Sequence, residues 1–71
     1  MQNEFYEVHI MHNSPFFFKS KDKAFEFLWQ EFLDAYADEY TEEGLAVVKG
    51  NMNYYYQIED FGEVLVRGFE D

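Results

Sequence analysis

The sequence predicts an α+β fold in which one helix packs on one face of a small antiparallel sheet. Three observations lead there. Residues 4–12 alternate with a period of two. Residues 21–40 switch to helical spacing with no Gly or Pro. Beyond Gly44, short apolar segments are separated by turn residues. The expected element order is ββαβββ, or βαβββ if the Phe run stays unpaired.

In residues 4–12, Tyr6, Val8 and Ile10 fall on one face and Phe5, Glu7, His9 and Met11 on the other. That is the pattern of a half-buried strand. Asn13-Ser14-Pro15 is turn chemistry, and residues 16–19 can return as a short second strand. Ser20 reads as a helix N-cap. From Lys21 to about Tyr40, the residues Phe25, Leu28, Trp29, Phe32, Tyr36 and Tyr40 form one apolar stripe, widened by Ala24, Leu33 and Ala35. Gly44 is expected to end this helix. Residues 45–49 and 52–58 then read as two strands joined at the turn Gly50-Asn51. A last strand covers residues 63–67, after the turn Glu59-Asp60-Phe61-Gly62.

At 71 residues the chain has room for one domain, spanning 1–71. It has no cysteine, so disulfides and thiolate metal sites are excluded. Nine Phe, six Tyr and one Trp supply the core instead. Fifteen acids against five bases leave a formal charge of −10. Such a surface repels nucleic acid and anionic membranes and attracts basic proteins. The first residues have no basic or apolar character of a signal peptide, and no apolar run approaches a membrane span. The expected location is therefore cytoplasmic.

The acids gather in and after the long helix. Glu31, Asp34 and Asp38 share the face opposite the apolar stripe, about 4.5 and 6 Å apart along the axis. Glu42 prolongs this row if the helix runs that far. Phosphates along one DNA strand are roughly 7 Å apart, so the row imitates them coarsely. Asp38, Glu39, Glu42 and Glu43 crowd the expected helix C-terminus, where carboxylates oppose the dipole. Phe27 falls on this polar side, either as an exposed anchor within a charged rim or packed beneath residues 16–18. In a strand, Tyr55 would point away from Tyr54 and Tyr56. It would then lie on the open sheet face with Phe5 and His9, as a protein or homodimer contact or as part of a cross-strand aromatic pair.

Catalysis finds no support. Ser14 and Ser20 read as turn and cap residues, and no nucleophile–base pair is apparent. His9 and His12 fall on opposite faces of a strand, which disfavours joint metal ligation. Asp60-Phe61-Gly62 spells a kinase tripeptide without the rest of that set, and it reads as a turn. Neither a metal nor a cofactor is expected, and the chain is expected not to be an enzyme.

Shortness, lack of Cys, Phe/Tyr richness and the acids Glu31, Asp34, Asp38, Glu39, Glu42 and Glu43 together resemble small phage-encoded inhibitors, the class of DNA mimics and anti-CRISPR proteins. The basic cluster Lys19, Lys21 and Lys23 departs from that pattern. The resemblance implies a non-enzymatic inhibitor that occupies a basic nucleic-acid-binding surface of a host protein. The alternative is an interaction module or homodimer that pairs through its open, aromatic sheet face. The candidate partner-binding residues are Phe27, Glu31, Asp34, Asp38, Glu39, Glu42, Glu43 and Tyr55.

Overall fold

A computed structural model describes residues 3–69. Its elements run β1 (Asn3–Ile10), β2 (Phe16–Phe18), α1 (Lys21–Tyr36), a short 3-10 helix (Ala37–Glu39), α2 (Glu42–Tyr55), β3 (Gln57–Ile58) and β4 (Gly62–Phe69). The four strands form one antiparallel sheet in the order β2-β1-β4-β3. The fold is α+β, with both helices on the same face of the sheet.

The alternation read in β1 decides which side they cover. Val8 and Ile10 are buried, and Tyr6 packs against the same core. Tyr6 pairs with Val66, Val8 with Val64 and Ile10 with Gly62, so these residues share the helix-side face. Leu28, Trp29 and Phe32 of α1 close over them, joined by Met52 of α2 and Ile58 of β3. Rings extend this core: Phe32 meets Tyr36, Tyr40 and Phe61 at centroid distances of 5.3–5.5 Å. Such tilted and edge-on pairs stabilise by more than their buried area alone.

α1 begins as expected. Ser20 is extended, and its Oγ accepts from the Lys23 N–H. The helix ends earlier than the apolar stripe suggests, at Tyr36, and the chain continues through the 3-10 helix.

The largest difference from the sequence reading lies in residues 42–55. The expected strand at 45–49, the Gly50-Asn51 hairpin turn and most of the expected strand at 52–58 are one helix, α2, and only Gln57–Ile58 of that second strand is extended, as β3. Thr41 is its N-cap, and its Oγ1 accepts from the Gly44 N–H at 3.0 Å. Gly44 therefore sits in the first turn of a helix and does not close one. Leu45, Val48 and Met52 recur at helical spacing and face the core, with Tyr56 following at the end. Gly50 lies on the outer surface with no heavy atom near its missing Cβ. Its intrinsic preference for turns is offset by burial of the opposite stripe. Replacing Thr41 with Ala is expected to cost about 0.5–2 kcal/mol, read as a lower urea midpoint at unchanged slope.

α2 is capped at its C-terminus by Tyr56, which takes the left-handed conformation at φ 62° and sends its N–H to the Met52 carbonyl. A non-glycine residue there needs compensation. Tyr56 stacks on Phe25 at 5.4 Å. Its hydroxyl accepts a 2.9 Å hydrogen bond from Lys21 Nζ, which also lies 4.6 Å from the ring centroid. That hydrogen bond is the main cause of the raised Lys21 pKa. Lys21 thus ties the start of α1 to the end of α2, although a base at a helix N-terminus is unfavourable in isolation.

Candidate functional site

The acids do not form the straight row that one long helix would give. α1 stops before Asp38, so only Glu31 and Asp34 share its surface at the expected spacing. Asp38 and Glu39 lie on the 3-10 helix. Glu42 and Glu43 occupy the first turn of α2, where the dipole favours them by about 0.3–1 kcal/mol each. The local destabilisation expected of these two at a helix C-terminus is thereby reversed in sign.

The turns bring the acids together instead. The β1–β2 turn, the β3–β4 turn and the end of α1 meet at one end of the molecule. Three shallow, adjoining depressions there share Met11 and Phe61. Glu31 and Asp34 line the first, beside His12 and Asn13. Glu39, Glu59 and Asp60 line the second, beside Tyr36 and Tyr40. Glu59, Asp60 and Glu63 line the third, beside His9 and His12. None of the three is lined by Lys or Arg.

The backbone holds this end firmly. The Met11 N–H donates to the Phe61 carbonyl at 3.1 Å, and the Phe61 N–H donates to Ile58 at 2.8 Å. His12 and Glu59 both have positive φ, which lets the two turns close tightly. Met11 is 46% exposed at the centre of the acidic rim. Burial, then the Glu59 and Glu39 carboxylates, push the Tyr40 phenol above its ordinary value. It therefore stays protonated as a neutral donor at pH 7.

Glu59, Asp60, Glu63 and Met11 are absent from the sequence-derived set. Their signal was present as a turn rich in acids, Glu59-Asp60-Phe61-Gly62, but its proximity to α1 required the fold. Two expected members of the set lie elsewhere. Phe27 is half-buried beneath β2, with its ring 4.7 Å from Phe16 and 5.2 Å from Phe18. Of its two readings, packing beneath residues 16–18 is the one found. Tyr55 is exposed, but on α2, at 5.0 Å from the Tyr54 ring. It lies roughly 20 Å along that helix from Glu42, and the open sheet face does not include it.

That open face carries other groups. Phe5 and Phe17 meet there at 5.9 Å. Arg67 Nε donates to Glu7 Oε2 at 2.9 Å, and His9 Nε2 stands 3.3 Å from the same oxygen, poorly aligned for a hydrogen bond. Arg67 first, then His9, hold the Glu7 carboxyl below its ordinary value of 4.5. A lowered carboxyl pKa stabilises the fold above the unfolded value and loses that contribution as pH falls through the folded one. Arg67→Ala should therefore lower the urea midpoint at neutral pH. Its midpoint curve should begin to approach that of the parent protein as pH falls below 4.5 and converge on it as pH falls through the lower folded-state value.

Among the described residues, no helix is long and apolar enough to cross a membrane, and no group of three His, Asp or Glu could hold a metal ion. The chain matches no protein-family model, no curated protein and no solved structure.

Proposed function

We propose that this chain is a stoichiometric, non-enzymatic inhibitor that occupies a basic nucleic-acid-binding surface of another protein, in the manner of a phage-encoded DNA mimic. The observation that carries this reading is the gathering of Glu31, Asp34, Glu39, Glu59, Asp60 and Glu63 around Met11 and Phe61, with no Lys or Arg in the same depressions. Asp38 adjoins them on the 3-10 helix. A concentrated negative field speeds encounter with a basic groove, and its effect falls with salt. Met11 and the half-buried Phe61 supply an apolar centre inside a charged rim, the arrangement of a binding hot spot.

The test uses immobilised protein and a cell lysate. Nucleic-acid-binding proteins should be retained at low salt and released by duplex DNA. The triple change of Glu31, Asp34 and Asp38 to Lys should abolish retention while leaving the far-UV circular dichroism intact. Glu31 is partly buried and the other two are exposed, so the fold should tolerate the change. Retention that survives both competing DNA and the triple reversal would reject the proposal.

A further inference from the structure

β2 is an edge strand, so one side of its backbone has no strand beside it. Two of its three side chains stay exposed, Phe17 at 60% and Phe16 at 39%, while Phe18 is half-buried. Above it runs the α1 stripe Lys23, Phe27, Glu31. The Phe27 ring contacts both Phe16 and Phe18, which places it over the middle of β2, level with Phe17. Lys23 lies four residues before Phe27 and Glu31 four after it, each about 6 Å away along the axis. Neither side chain has an ion-pair partner among the described residues. The edge is thus flanked by a base on one side of its midpoint and an acid at the same distance on the other.

We propose that two copies of this chain join edge to edge through β2, across a two-fold axis that passes between their Phe17 residues. The two four-stranded sheets then become one continuous sheet. Antiparallel pairing centred on Phe17 sets Phe16 of each copy against Phe18 of the other. The same axis passes near Phe27, which brings Lys23 of each copy level with Glu31 of the other. A parallel arrangement, about an axis along the strands, would instead put the two α1 helices on opposite faces of the joined sheet and leave Lys23 and Glu31 without these partners. α1 packs on β1 and its two neighbours, so the two helices stand about three strand spacings apart, roughly 14 Å. Lys and Glu side chains bridge such a gap, and the two Phe27 rings lie within it.

The assembly closes at two. Pro15 has no N–H and Lys19 is charged, which confines the new ladder to β2. The other sheet edge, β3, is only two residues long. Repulsion between chains of charge −10 opposes association, but it is screened beyond about 8 Å at 0.15 M salt. The Lys23–Glu31 contacts lie inside that distance. This dimer does not rest on the inhibitor reading, because it is measured on the purified chain alone.

Sedimentation velocity at 0.15 M salt should show a monomer–dimer equilibrium. Lys23→Glu and Glu31→Lys should each weaken the dimer by roughly tenfold, because two symmetry-related pairs become repulsive. The two changes combined should restore most of the affinity, an outcome that general charge effects do not produce. Phe17→Asp should give a monomer with the parent circular dichroism spectrum. The chain has no cysteine, so Phe17→Cys offers an independent reading. Opposed residues of an antiparallel pair lie about 4.5–5.5 Å apart at Cα, within disulfide range, and should cross-link in air. A strictly monomeric chain at about 1 mM (~9 mg/ml), without cross-linking of Phe17→Cys, would overturn the proposal. So would a dimer indifferent to the charge exchange and to Phe17→Asp.

Discussion

Leu28→Ala is expected to destabilise the domain by about 2–5 kcal/mol, the largest effect of any single truncation considered. Leu28 is completely buried. It sits on the inner face of α1, where the buried residues of β1 and β4 meet Met52 and Ile58. Truncation removes its transfer free energy and leaves a cavity between two layers that cannot collapse independently. A chain of this size has a total stability of about 4–10 kcal/mol. The variant should therefore be partly unfolded at 37 °C and show a shallow, early thermal transition. A urea midpoint within experimental error of the parent would show that α1 is not seated on the sheet as described.

Gly62→Ala should destabilise by about 1–3 kcal/mol through the opposite fault, overpacking. Gly62 pairs with Ile10 on one side and Ile58 on the other. An added Cβ would lie 2.7 Å from the His9 carbonyl oxygen and 2.8 Å from Leu28 Cδ1. The leucine methyl can rotate away, but the backbone carbonyl is held by the β1–β4 ladder. The strands must then separate near the turn that carries Glu59, Asp60 and Glu63. The variant should lose melting temperature, by roughly 4–8 °C per kcal/mol for a domain this small. Combining it with Leu28→Ala should relieve only the methyl clash. The pair should thus be less damaging than the sum of the two changes but worse than Leu28→Ala alone. Strict additivity would place the strain entirely at the carbonyl.

Much of this architecture is legible from local patterns. Tyr6, Val8 and Ile10 announce their buried face by alternation, and Ser20 announces the start of α1. Leu28, Trp29 and Phe32 are spaced as one helical stripe. These signals are strong because a strand or helix with one buried face repeats its apolar residues at its own period. Residues 42–55 show where such reading fails. Gly50-Asn51 between apolar segments favours a hairpin, while Thr41 before Glu42-Glu43 and the spacing of Leu45, Val48 and Met52 favour a helix. Local propensities differ by only about 1 kcal/mol per residue. Burial of Met52 against Ile58 and the α1 core then tips the balance.

The candidate site divides along the same line. Its chemistry is compositional, since fifteen acids among 71 residues make an acidic surface unavoidable. Which acids act together is not compositional. Glu59, Asp60 and Glu63 are more than twenty positions from Glu31 and Asp34, and only the β1–β4 pairing carries their turn to the end of α1. Phe27 shares the polar stripe with Glu31, which leaves both a surface anchor and packing beneath residues 16–18 open from the sequence. β2 folds back over it, and an aromatic ring beside Phe16 and Phe18 gains more from burial than from water.

By itself, the sequence determined the α+β class, the buried face of β1, the core stripe of α1 and the sign of the surface field. Each of these depends on residues close together in the chain, or on composition alone. The tertiary structure decided the helical state of residues 42–55, the burial of Phe27 and the convergence of acids around Met11 and Phe61. Those outcomes depend on contacts between distant segments, whose burial energy exceeds the small local preferences of the residues that make them.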